Sequence, residues 1–167
     1  MNDRDLERIY DAHASGLFRY LETFTRTETD ARDLLQELFI KLARGMKMEA
    51  RNEKAFLYRL AHNLAIDWLR RRAARGDSEE RMCREQDGGG QAAADPDMAM
   101  LARSFADALA KLPDEQRTIV RLKLWEGMTF EEIAEAQGIP LNTAASRYRY
   151  AIDKLRTLLR PIHEELR

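Results

Sequence analysis

Apolar positions recur every three or four residues along most of this chain, a spacing that predicts helices rather than strands. Leu6, Ile9, Leu17, Leu21 and Phe24 make one stripe across a helix from about Asp3 to Thr25. Leu34, Leu35, Leu38 and Leu42 line a second, from Thr29 to Gly45. Leu57, Leu60, Leu64 and Trp68 line a third, from about Asn52 to Arg75. No stretch alternates β-branched residues as a half-buried strand would. The period breaks in GDSEERMCREQDGGGQAAADPD, where three consecutive glycines and small polar residues give the composition of a linker. Asp95 and Pro96 restart helix as a cap and a first-turn proline. The predicted fold class is therefore all-α. Two small helical domains, 1–75 (a three- or four-helix bundle) and 99–167, are joined by a flexible acidic linker over 76–98.

The second domain carries the most specific local pattern. Thr129 and Glu132 form a T-x-x-E capping box. Ile133 and Ala134 supply the packed face of a short helix, with Ala small enough for a second helix to approach. Gly138 ends that helix where a left-handed residue is needed, Ile139 turns inward, and Pro140 stops continuation. Asn142 is predicted to cap the next helix. Its apolar stripe is Ala144, Tyr148, Ala151, Leu155 and Leu158. The opposite face shows Ala145, Ser146, Arg149 and Tyr150, flanked by Arg147, Lys154 and Arg156. Between Leu141 and Arg160 there are five Lys or Arg against one Asp. A basic amphipathic helix in an ordinary bundle is the plainer alternative. The two caps, small residue and glycine at this spacing instead predict a helix-turn-helix, with duplex DNA as its partner.

Charge supports that reading only when it is divided along the chain. The formal net charge is −1. Residues 1–75 hold fifteen basic and twelve acidic side chains, 76–98 two and seven, and 99–167 eleven and ten. The acidity sits in the linker, and screening within ~8 Å leaves the flanking surfaces free to act locally. The single Cys83 excludes an intramolecular disulfide and points to a reducing compartment. His13, His62 and His163 are scattered, so no metal or other cofactor is expected. No nucleophile–base pair, phosphate loop or paired-carboxylate site marks an enzyme. No apolar run approaches the ~20 residues of a membrane span, and MNDRDLERIYD is too charged for a signal peptide. A cytoplasmic protein without membrane insertion is expected.

Two features of the first domain go beyond a plain core. The second helix carries Asp33, Gln36, Glu37 and Lys41, interleaved with Phe39 and Ile40. The third carries Phe56, Tyr58, Arg59, His62 and Asn63, then Arg70, Arg71, Arg72 and Arg75. Rings that stack, amides that read base edges and arginines that follow phosphates suit single-stranded nucleic acid. From the residues alone, however, Phe56 and Tyr58 read first as core and the arginines as a solvated helix end.

The order DARDLLQELFIKLAR, AFLYRLAHNLAIDWLRRR, a linker, then LPDEQRTIV and TFEEIAEAQGIPLNTAASRYRYAIDKLR resembles bacterial RNA polymerase sigma factors of the extracytoplasmic-function (ECF) type. The resemblance spans both domains and leaves only the linker unmatched. It implies a transcription initiation factor that binds core RNA polymerase, recognises −10 and −35 promoter DNA and assists promoter opening. By resemblance, Asp33, Gln36, Glu37 and Phe39 dock on the clamp helices of the polymerase. Phe56, Tyr58, Arg59, His62 and Asn63, with the loop from Gly45 to Asn52, hold the −10 element, and Arg70 and Arg71 steady its backbone. Ala145, Ser146, Arg149 and Tyr150 read the −35 element, while Asn142, Thr143 and Arg147 fix the helix to phosphates. The resemblance also raises an anti-sigma factor as a further partner. The sequence departs from the family pattern at Gln137, where an apolar residue is usual, and at Ala144, where a larger one is. Either the two helices pack loosely or Tyr148 fills the gap. The competing reading is a helix-turn-helix regulator acting without polymerase, which leaves DLLQELF and the 56–75 helix as plain core.

Overall fold

The computed structural model describes residues 2–48, 52–76 and 95–165. Among these residues there are seven helices and no strand. Helix α1 (Asp3–Thr25) starts at a reciprocal capping box between Asn2 and Asp5 and stops at Arg26, whose φ of 60° is left-handed. Helix α2 (Glu28–Ala43) begins one residue before the expected Thr29. Thr27 is the cap, its side chain accepting from the Asp30 amide. Helix α3 (Glu53–Ala74) is capped by Asn52. Its first turn is pinned to α1, because Arg8 donates twice to the Glu53 carboxylate, at 3.0 and 2.5 Å, and His13 lies 3.0 Å from it. These bonds, Arg8 first, hold the Glu53 carboxyl below the ordinary carboxylate range.

Helix α4 (Pro96–Ala110) begins as expected, with Asp95 as cap and Pro96 in the first turn. Arg117 of α5 (Asp114–Leu124) reaches back to the carbonyls of Leu109, Ala110 and Leu112, satisfying acceptors that the end of α4 leaves free. Helix α6 (Phe130–Gln137) opens with the Thr129–Glu132 capping box and closes on Gly138 at φ 65°. Helix α7 (Leu141–Glu165) follows and continues through Pro161.

One expectation at this turn is corrected. Asn142 does not cap α7: it lies inside the first turn, and the Pro140 carbonyl accepts from the amides of Thr143 and Ala144. Proline fixes φ and still offers a carbonyl, so it can end one helix and begin the next.

The main core does not stop at the boundary between the two halves. Leu17, Leu21, Leu38, Leu57, Ala61 and Leu64 form one buried cluster with Ile119, Leu122, Met128, Ile133 and Ala136. Helix α3 packs against α6 more extensively than against α1 or α2. A smaller cluster of Leu109, Leu112, Val120, Ala151 and Leu155 belongs to the second half alone. The acidic segment read as a linker lies, from residue 77 to 94, outside the described residues, as does the loop segment 49–51.

Candidate nucleic-acid interface

Helix α7 buries one face and leaves a basic one free. Ala144, Ala151 and Leu155 face inward. Tyr148 packs edge-on against Phe130 of α6 with ring centroids 5.4 Å apart, bringing bulk to the face where Ala144 is small. Asn142, Arg149 and Tyr150 are exposed, Tyr150 by 58%. Thr143, Ala145, Ser146 and Arg147 are half-buried. The Arg149 guanidinium sits 5.3 Å from the Tyr150 ring centroid, so cation and aromatic plane form one joint surface. Arg147 pairs with Glu115 of α5 at 3.3 Å, so a phosphate there would compete with an existing partner.

On α3 the residues expected to meet DNA separate into two groups. Arg59, Asn63, Arg70 and Arg71 lie on exposed positions of the helix. The Arg70 guanidinium is 3.9 Å from Asp67, and Arg72 lies 5.0 Å over the Trp68 ring. The remaining three face the core or its margin. Tyr58 is a correction: it is fully buried, with its ring 5.3 Å from Tyr20 in an edge-on contact. Burial, then the nearby Glu126 carboxylate, pushes its phenol well above the ordinary range. In this arrangement Tyr58 cannot stack on a base. Phe56 is half-buried against the same core. His62 is committed as well, its Nδ1 lying 2.9 Å from the Tyr20 hydroxyl and its ring edge-on to Phe24 at 5.7 Å. Burial holds its pKa below the ordinary value.

The polar face of α2 is accessible. Asp33 and Gln36 are exposed, while Glu37 is half-buried and 3.8 Å from Lys41. Phe39 leans on Tyr10 of α1 with ring centroids 5.0 Å apart. Tyr10 is 52% exposed and, with the exposed Ile40, extends this surface onto α1. Sequence reasoning missed Tyr10; the available signal was an aromatic one position off the α1 stripe.

Comparison with known proteins agrees with this division. Residues 9–75 match Sigma-70 region 2, and residues 108–157 match Sigma-70, region 4. The chain is 30% identical over 165 residues to the ECF RNA polymerase sigma factor SigL of Mycobacterium tuberculosis, covering 94% of this chain and 90% of that protein. Among solved structures, it resembles CnrH, seen in complex with the cytosolic domain of CnrY. The TM-score is 0.63 at 26% identity, covering 96% of this chain and 90% of that one. The fold is also that of the sigma factor RpoE from Bartonella quintana, with TM-score 0.69 at 22% identity, covering 94% and 98%. No described helix is long and apolar enough to cross a membrane. With both regions present in order on an all-helical fold, the chain belongs to the ECF family of RNA polymerase sigma factors, which are transcription initiation factors and not enzymes.

Proposed function

We propose that this sigma factor divides its work between a −10 and polymerase-binding unit at 1–75 and a −35 unit at 99–167, with 76–98 as the connection, and that it works in the cytoplasm. The observation that carries this is the pair of exposed edges on α3 and α7. Arg59, Asn63, Arg70 and Arg71 offer guanidinium and amide groups on one; Arg149 and Tyr150 offer a cation and an aromatic plane on the other. Opening a promoter requires unstacking bases, which costs a few kcal/mol per step. An amide and cations along α3 can offset part of that cost by holding an extruded base and its phosphates. Helix α7 meets intact duplex, where a good bidentate contact discriminates by ~1–3 kcal/mol.

The face of Asp33, Gln36, Glu37 and Phe39, extended by Tyr10 and Ile40, is the proposed dock for core RNA polymerase. An anti-sigma factor is a further proposed partner, supported by the likeness to CnrH in its complex with CnrY. Reconstitution with bacterial core polymerase followed by genome-wide run-off transcription tests the reading. Specific start sites should appear only when this chain is added, and the promoters recovered define both elements. Sequence-specific duplex binding by the chain alone, with no added initiation, would replace it with a regulator that acts without polymerase.

A further inference from the structure

The turn between α5 and α6 is set into the first half of the molecule. Gly127 takes φ 61°, which turns Glu126 inward, and the Glu126 side chain is only 16% exposed. One carboxylate oxygen lies 3.2 Å from Arg19 of α1. The other occupies the notch left by Gly16: a Cβ at that position would lie 2.5 Å from it and 2.5 Å from the Tyr58 hydroxyl. Lys54 of α3 donates to the Glu126 backbone carbonyl. The carboxylate, its own carbonyl and two cations from different helices thus converge on one residue.

Further links run alongside. Asn52, whose Oδ1 caps α3, donates through Nδ2 to Glu132, whose other oxygen closes the α6 capping box. Arg26 and Asp114 lie 3.6 Å apart. Beneath them Met128, Ile133 and Ala136 share the core of Leu57, Ala61 and Leu64.

This arrangement fits poorly with simultaneous use of both DNA surfaces. Elements centred at −10 and −35 lie about 85 Å apart along a duplex at ~3.4 Å per base pair. Helices packed in series, as α3, α6 and α7 are, have axes only ~8–10 Å apart at each step. A helix of α7's length spans under about 40 Å at 1.5 Å per residue.

We propose that the α5–α6 turn is an intramolecular latch: Glu126, seated in the Gly16 notch between Arg19 and Lys54, holds the helix-turn-helix half closed on the first half, and this state must open before both promoter elements are engaged. The inference rests on the assignment of the two DNA surfaces above. Closure itself is measured independently of that assignment.

The test uses the full chain with Cys83→Ser and a dye pair at Asp11→Cys and Thr157→Cys, both exposed positions. Glu126→Lys sets a third cation between Arg19 and Lys54, and energy transfer should fall by at least half. Adding Arg19→Glu restores an opposite pair and should recover most of the loss. Gly16→Ala, which favours α1 as a helix, should also lower transfer by filling the notch. Circular dichroism checks that all variants keep wild-type helical content. The opened variants should also associate with bacterial core polymerase roughly threefold or more faster, because a larger fraction is competent. Unchanged transfer in both Glu126→Lys and Gly16→Ala overturns the latch. Lower transfer with unchanged association overturns the requirement for opening. If no form, wild type included, associates with polymerase, the assignment of function fails, while energy transfer still decides whether Glu126 holds the chain closed.

Discussion

Helices α3 and α7 carry similar residue types and meet different fates. Both mix arginines, aromatics and amides on an amphipathic frame. In α7 the aromatic beside the basic face, Tyr150, is exposed. In α3 the corresponding aromatics are drawn inward, Tyr58 completely and Phe56 in part. The difference lies in the neighbours. Helix α3 is packed by α1 and α2 from its own half and by α6 from the other, so only a narrow arc stays free. The first half of α7 packs on α5 and α6 and keeps a wider face open. Residue type marks chemistry a helix can offer; the number of packed faces decides how much of it reaches a partner.

The strongest way to break this comparison is at Tyr58. If it belongs to the core, Tyr58→Ala should cost about 3–5 kcal/mol of stability, as truncating a large buried ring does, read by thermal or urea denaturation. Wild-type stability with a pure defect in promoter melting would return Tyr58 to the DNA surface. Asn63, on the free arc, should behave in the opposite way. Asn63→Ala should keep wild-type stability and polymerase binding but lose permanganate-reactive promoter thymines. A template with a pre-melted bubble should restore much of the activity, since the unstacking cost of a few kcal/mol is then removed. A defect that persists on bubble templates would make Asn63 a structural residue.

On α7 the comparison sharpens within one helix. Arg149→Ala should cost ~1–3 kcal/mol of specific binding and relax preference at one or two base pairs. Arg156, further along and 3.7 Å from Asp153, should act on phosphates. Its alanine variant should weaken all sequences evenly and lower the salt slope by about one. An even loss from Arg149→Ala would show that it, too, holds backbone.

The smallest effect concerns His62, on the packed side of α3. Burial lowers its folded-state pKa below the ordinary 6.5, so the charged ring is disfavoured only in the folded chain. Stability should be full above about pH 6.5 and decline as pH falls from there through the lowered value. His62→Gln, which can still meet the Tyr20 hydroxyl, should flatten that part of the Tm profile. An unchanged slope would assign the pH dependence to other groups.

Much of the fold was legible because its instructions are local. Asn52, Thr129 and Asp95 act at helix starts, and Gly138 ends α6 in the left-handed region where glycine is at ease. The errors were local too. Thr27 caps α2 two residues before the expected start at Thr29, and the Pro140 carbonyl takes the role expected of Asn142. Among candidate site residues, exposed Arg59, Asn63, Arg149 and Tyr150 were visible as charged or amphipathic groups beside an apolar stripe. The burial of Tyr58 was harder to see, since a tyrosine beside an arginine reads equally well as core or as platform.

What the sequence determined by itself was the set of helices, the helix-turn-helix and the family, because each follows from periodicity, caps and motif order within short stretches. The tertiary structure alone decided that α6 lies along α3, that Tyr58 is enclosed and that Glu126 fills the Gly16 notch. Glu126 meets Arg19 across a separation of 107 residues. Periodicity states that a helix has an apolar face; only packing selects which distant surface covers it, and that choice removes side chains from water or leaves them free to bind.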